Sequence, residues 1–166
     1  EFFRMVQTYF EGRYPLHFHL LGDHGSNSYI RSSSFHRSYF KCVTIHASNS
    51  VYAARNVAFD IIGHCLYLED GVEQKNIVEF NLHAHIHPIG KPPGEGSNSQ
   101  YLSYIYDSDE LSTASDSTAS AFYISNSNNY FRGNAAVGGF SGFHFPIFPE
   151  PIGKSRDSPI TPRASS

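Results

Sequence analysis

Five short segments of this chain can be written one above another without a gap. They are Leu16-His17-Phe18-His19, Val43-Thr44-Ile45-His46, Leu66-Tyr67-Leu68-Glu69, Phe122-Tyr123-Ile124-Ser125 and Phe143-His144-Phe145-Pro146. Each alternates apolar residues with polar or aromatic ones, and alternation is the signature of a strand whose side chains point to opposite faces. One column of the stack is Leu16, Val43, Leu66, Phe122 and Phe143, and another is Phe18, Ile45, Leu68, Ile124 and Phe145. Both are wholly apolar. The columns between them are His17, Thr44, Tyr67, Tyr123, His144 and His19, His46, Glu69, Ser125, Pro146. Such columns predict strands stacked in parallel, with one face on a core and the other open to water or a ligand. The expected fold class is all-β, a right-handed parallel β-helix forming a single-stranded solenoid.

The repeat length agrees with this class. Phe35-His36, Phe59-Asp60 and Phe80-Asn81 recur at intervals of 24 and 21 residues. Periods in the low twenties belong to solenoids, in which each unit buries its face only against its neighbours. The Leu-x-x-Leu-x-Leu pattern of leucine-rich repeats is missing, and no sustained 3.6-residue periodicity suggests helices. Asn49, Asn56, Asn76, Asn81, Asn128, Asn129 and Asn134 fall near the expected corners. Asn tolerates the left-handed backbone that tight turns need, which is their expected role. Residues 1–149 are expected to form coils with an inserted loop at about 88–119, rich in Pro and Gly at its start and acidic at its end. Residues 150–166 read as a Pro/Ser-rich loop or tail. The start at Glu1-Phe2-Phe3, without an initiator Met, suggests a fragment of a longer solenoid.

Charge and composition exclude some functions. The net charge is -3 and no basic patch is visible, so nucleic acid is not an expected partner. No apolar run approaches the roughly 20 residues of a membrane helix. P-loop, G-x-G-x-x-G, G-x-S-x-G and H-E-x-x-H motifs are missing. Cys42 and Cys65 each stand just before an aligned strand, in one column of adjacent coils. Stacked strands are about 4.8 Å apart, within the Cα separation a disulfide accepts. A bridge, which would imply an oxidising compartment, and a pair of buried free thiols both fit this spacing.

The polar columns carry the candidate chemistry. His19, His46 and Glu69 line up on three consecutive coils, with Asp70 beside them. Two imidazoles and a carboxylate can hold a divalent metal, calcium or zinc, or can act as a general acid/base set. They can equally be a hydrogen-bonded ladder on a solvated face. His17, His64, Tyr67 and Tyr123 are expected to support substrate binding, with Tyr67, Tyr123 and Phe122 stacking on sugar rings. His83-Ala84-His85-Ile86-His87 would, as a strand, point three imidazoles to one side. Asp107, Asp109 and Glu110 offer calcium-friendly oxygens without an EF-hand loop.

Several motifs occur together in a familiar order: Gly12-Arg13-Tyr14-Pro15-Leu16-His17-Phe18-His19, Cys42-Val43-Thr44-Ile45-His46, Gly63-His64-Cys65-Leu66-Tyr67-Leu68-Glu69-Asp70-Gly71-Val72-Glu73, and Asn126-Ser127-Asn128-Asn129. Over residues 11–148 the chain resembles the β-helix region of the family of cell migration-inducing hyaluronidase, its transmembrane relative and fibrocystin-L. The resemblance implies a right-handed parallel β-helix on a large extracellular or cell-surface protein, with the rest of that chain as a partner. It also implies hyaluronan binding or cleavage for one branch, and a receptor-like or structural role for the fibrocystin-like branch. The leading expectation is an extracellular or cell-surface module that interacts with carbohydrate, by hyaluronan binding or by cleavage as a glycosaminoglycan-degrading hydrolase; a non-catalytic adhesive segment and a polysaccharide lyase are the alternatives. The lyase is disfavoured because only Lys41 and Arg37 offer a basic residue near the candidate face.

Overall fold

The computed structural model describes residues 1–6, 12–88, 118–146, 148–160 and 162. Within them fourteen strands repeat in the order A, B, C around a triangular coil. Sheet A contains β1 (Phe2–Phe3), β4 (Ser34–Ser38), β7 (Val57–Ile62), β10 (Leu82–His87) and β13 (Ala135–Gly138). Sheet B contains β2 (Leu16–Gly22), β5 (Val43–Ser48), β8 (Leu66–Leu68), β11 (Ser120–Tyr123) and β14 (Ser141–His144). Sheet C contains β3 (Tyr29–Arg31), β6 (Tyr52–Ala54), β9 (Ile77–Glu79) and β12 (Tyr130–Arg132). Every pairing is parallel and joins a strand to its counterpart one coil away. The chain is therefore a parallel β-solenoid of about four turns.

The first inner column of sheet B holds in the register expected from sequence, and the second holds from Phe18 through Ile45 to Leu68, whereas Phe145 lies beyond β14 and is exposed. Leu16 pairs with Val43, Val43 with Leu66, Leu66 with Phe122 and Phe122 with Phe143. The Phe122 and Phe143 rings stack at 4.8 Å and 6°. The core fills because large and small residues alternate up a column. In sheet A the inward column is Phe35, Ala58, His83 and Ala136, and His83 lies flat on Phe122 at 4.3 Å. Cys42 and Cys65, one rung apart, are joined by a disulfide with a Cα separation of 4.6 Å.

Two sequence expectations are corrected. The Phe-polar repeat is not an aligned column. Phe35 pairs with Ala58, whereas Phe59 pairs with His36 and faces outward. The true coils are 23 and 25 residues long, from Ser34 to Val57 and from Val57 to Leu82. The Asn residues do sit at corners, but none has a positive φ. At the corner between sheets C and A that conformation belongs to Ser32, Arg55, Phe80 and Gly133. The next residue is Ser33, Asn56, Asn81 or Asn134, and these Asn side chains bind along the stack. Asn56 Oδ1 accepts from Ser33 N–H, Asn81 Oδ1 from Asn56 N–H, and Asn134 Oδ1 from Asn81 N–H. The amide groups of Asn56, Asn81 and Asn134 donate to the carbonyls of Ile30, Ala53 and Val78. A second ladder, through Asn76 and Asn129, secures the corner between sheets B and C. Buried backbone groups at a corner have no strand neighbour, and these amides satisfy them.

Residues 89–117 lie outside the described residues, so most of the expected insertion, with Asp107, Asp109 and Glu110, does too. Among residues 150–160 and 162 there is one 3₁₀ turn, Gly153–Ser155, and the segment packs against the coils.

Candidate functional site

The outer face of sheet B was expected to be open, and it is instead largely covered. Thr44, Tyr67, Tyr123, His64 and Ser125 are all buried. At the start of the strands Lys41 lies across the face, its ammonium 3.8 Å from the Tyr67 ring centroid and 4.3 Å from that of Phe40. His64 stacks parallel to Tyr67 at 5.7 Å and packs on Tyr123 at 4.4 Å. Its Nδ1 accepts the Ser120 backbone N–H at 3.0 Å. Tyr67 and Tyr123 are covered and Phe122 lies in the core, so in this structure none of them offers a stacking surface to a sugar, and that expectation is corrected. Among the described residues Tyr67 is packed by Lys41, His64 and Tyr123, contacts that strand alternation does not report.

At the other end of the strands a polar cluster reaches the surface. His19 pairs with His46 across β2 and β5, and Glu69 N–H donates to Ile45 O one rung on. His17 is half-buried, His19 exposed and His46 buried. The His17 and His46 rings are parallel at 5.8 Å, and His19 stands edge-on to both, at 4.7 and 5.0 Å. His46 Nε2 meets Asp70 Oδ2 at 2.8 Å, and its Nδ1 faces Glu69 Oε2 at 3.7 Å. His17 Nε2 lies 3.9 Å from the same Glu69 oxygen and has no hydrogen-bond partner among the described residues. The structure thus brings together His17, His19, His46, Glu69 and Asp70. Tyr67, Tyr123 and His64 belong to the covered part of the face.

The loop after β8 holds this cluster in place. β8 ends at Leu68, and the Asp70-Gly71 turn folds over Glu73. The buried Glu73 carboxylate accepts the N–H groups of Ala47 (2.9 Å), Asp70 (3.0 Å) and Gly71 (2.9 Å). Sequence reasoning did not single out Glu73; its signal was a carboxylate two residues beyond an Asp-Gly turn. The C-terminal segment closes the other side. Ile152 N–H donates to Asp70 O at 3.0 Å, Gly71 lies against Pro162 and Phe148, and Gly153 lies against Asp70. Gly153 has φ of 59°, and a Cβ there would sit 2.5 Å from Asp70 Oδ1, so only glycine fits.

Electrostatics divide the imidazoles. Burial and the neighbouring His19 and His46 push His17 down to about 4, so it is a neutral base at physiological pH. Burial, with the charges of His46 and Lys154, also lowers His19. Burial opposes protonation of His46, but the Asp70 hydrogen bond and the Glu69, Asp70 and Glu73 charges outweigh it and raise its pKa. Glu73 is raised by burial. Two ligand sets overlap at His46: His17, His19 and His46 form one, and His46, Glu69 and Asp70 form the other, each with donor atoms within 4.8 Å of one another. Either set matches the donors that bind zinc. Without a metal, the His46–Asp70 pair beside two neutral imidazoles is an acid/base arrangement.

A different surface was missed altogether. On the outer face of sheet C, Tyr29 pairs with Tyr52, Tyr52 with Ile77 and Ile77 with Tyr130. Tyr29 is 59% exposed and Tyr130 73%. The next column is Arg31, Ala54, Glu79 and Arg132. The Arg31 guanidinium lies 5.2 Å from the Tyr29 ring centroid. Glu79 accepts from the Tyr52 hydroxyl and from Arg132, each at 2.8 Å. Three-residue strands carry too little alternation to be read from sequence, but a recurring aromatic-or-Ile, x, x, x, Asn spacing at Tyr52–Asn56, Ile77–Asn81 and Tyr130–Asn134 was there to find.

Comparison with known proteins agrees with the fold. The chain matches the CEMIP beta-helix family over residues 1–165. It is 52% identical over 159 residues to communication mutant protein F of Dictyostelium discoideum, covering 96% of this chain and 14% of that protein. A G8 domain-containing protein of the same organism is 50% identical over 159 residues, covering 96% of this chain and 11% of the relative. Mouse fibrocystin-L is 35% identical over 161 residues, covering 96% of this chain and 3% of its own length. The chain thus spans a small part of each relative. With its stacked rungs and this match along nearly its whole length, the chain belongs to the CEMIP beta-helix family.

Proposed function

We propose that this chain is a carbohydrate-binding module of a secreted or cell-surface protein, and that its glycan surface is the outer face of sheet C. The observation that carries this reading is the outer column Tyr29, Tyr52, Ile77 and Tyr130, with Tyr29 and Tyr130 exposed and Tyr52 half-buried, beside Arg31 and Arg132. Aromatic faces take the apolar face of a sugar ring, and a guanidinium pairs with a carboxylate through two parallel bonds. Rungs about 4.8 Å apart offer a shallow, repeating face that suits a polymer. The family resemblance makes hyaluronan, a uronate-bearing chain, the first glycan to try. The Cys42–Cys65 bridge supports an oxidising compartment.

The test is hyaluronan binding by Y29A/Y130A and by R31Q/R132Q. All four side chains are exposed, so folding should survive. Each double variant should weaken binding at least tenfold, about 1.4 kcal/mol. Wild-type affinity in both variants removes the assignment.

Cleavage is a second reading, favoured by the His46–Asp70 pair at 2.8 Å next to exposed His19. Hyaluronan depolymerisation by a longer protein containing this module should fall in H46A and E69A. Unchanged cleavage in both excludes the cluster from catalysis. No cleavage by the unsubstituted protein favours the non-catalytic adhesive role.

A further inference from the structure

A second group of imidazoles and a carboxylate meets at the ends of the sheet A strands, away from the sheet B cluster. Asp60 of β7 and His85 of β10 occupy the same place on adjacent rungs, between the paired residues Phe59–Ala84 and Ile61–Ile86. Both have positive φ, 61° and 57°. This conformation breaks strict alternation, and the register of β10 shifts between Ala84 and Ile86. The three imidazoles of His83-x-His85-x-His87 consequently do not share one face. His83 turns into the core and binds Ala121 O at 3.0 Å, while His85 and His87 turn out toward Asp60. His87 Nε2 lies 2.9 Å from Asp60 Oδ1, and His85 Nδ1 lies 3.9 Å from the same oxygen. The two rings are 4.2 Å apart and nearly edge-to-face.

We propose that Asp60, His85 and His87 form a site for a zinc-class divalent ion. Their three donor atoms lie within 4.8 Å of one another. Donors on a tetrahedral zinc, each about 2.0 Å from the metal, stand roughly 3.3 Å apart. All three side chains are at least a third exposed, so small rotations close that gap. Two imidazoles and one carboxylate suit zinc, whereas calcium takes more oxygens. Asp60 also lines an open cavity of about 230 Å³ with Arg4, Arg37, Ser38, Tyr39 and Ile62, which leaves that side of the group accessible to a fourth ligand.

Isothermal titration of the folded, disulfide-bonded chain with zinc chloride tests this. H24A, which removes an exposed imidazole outside both clusters, should retain the binding event. H85A and H87A should each weaken it at least tenfold, with circular dichroism unchanged. Histidine-selective NMR of the unsubstituted protein gives a second readout: zinc should shift the His85 and His87 imidazole signals. Titrations unaffected by both substitutions, or zinc shifts confined to His17, His19 and His46, overturn the proposal.

Discussion

Asn81 shows how much a single corner residue can hold. Its Oδ1 accepts the Asn56 N–H and the Asn56 side-chain amide, while its own Nδ2 donates to Ala53 O and Asn134 Oδ1. Asn81→Ala would leave the buried Asn56 N–H without its acceptor and take a donor from the Ala53 carbonyl and from Asn134 Oδ1. An orphaned buried polar group costs about 1–3 kcal/mol, so urea unfolding should show a loss of about 2–4 kcal/mol. His83 makes a different prediction. Burial holds its pKa down at about 4 from an ordinary 6.5. The unfolded chain therefore takes up a proton over a range where the folded chain refuses it. His83 costs no stability above pH 6.5, and the penalty grows as pH falls from 6.5 to 4, reaching about 3 kcal/mol. His83→Leu should flatten the stability profile across that window relative to wild type, as read by urea midpoints at successive pH values. An unchanged difference between the two proteins at pH 7 and pH 4.5 would contradict it.

Between elements, the Cys42–Cys65 bridge links the entries to β5 and β8 across 23 residues of chain. Closing a loop of that size stabilises by about 3 kcal/mol through the unfolded state. Reduction, or C42A/C65A, should lower the urea midpoint accordingly and leave the m-value close to wild type if the denatured chain stays equally open. A second prediction concerns the segment over Asp70. Gly153→Ala places a Cβ on Asp70 Oδ1 and strains a left-handed backbone, so it should destabilise by about 1–2 kcal/mol and increase amide exchange at Asp70 and Gly71. What was legible from sequence follows the same division. The inner columns of sheet B could be read because four alternating residues repeat with apolar partners at each rung. The polar face could be listed residue by residue, but its cover could not be foreseen, since Lys41 and the 148–162 segment reach it through tertiary packing. His83 and His85 were assigned to one face because one left-handed residue is enough to break a period of two.

At the scale of the molecule, the solenoid separates tasks by sheet. Among the described residues, sheet B buries most of its polar network and exposes His19, sheet A ends in the Asp60–His85–His87 group, and sheet C turns tyrosines and arginines outward. A titration of the isotope-labelled chain with hyaluronan oligosaccharides, followed by amide chemical shifts, tests the binding claim most directly. The account predicts shifts concentrated in β3, β6, β9 and β12, with Tyr29, Tyr52 and Tyr130 at their centre. Shifts centred instead on His19, His46 and Asp70, or no shifts at saturating oligosaccharide, would contradict it.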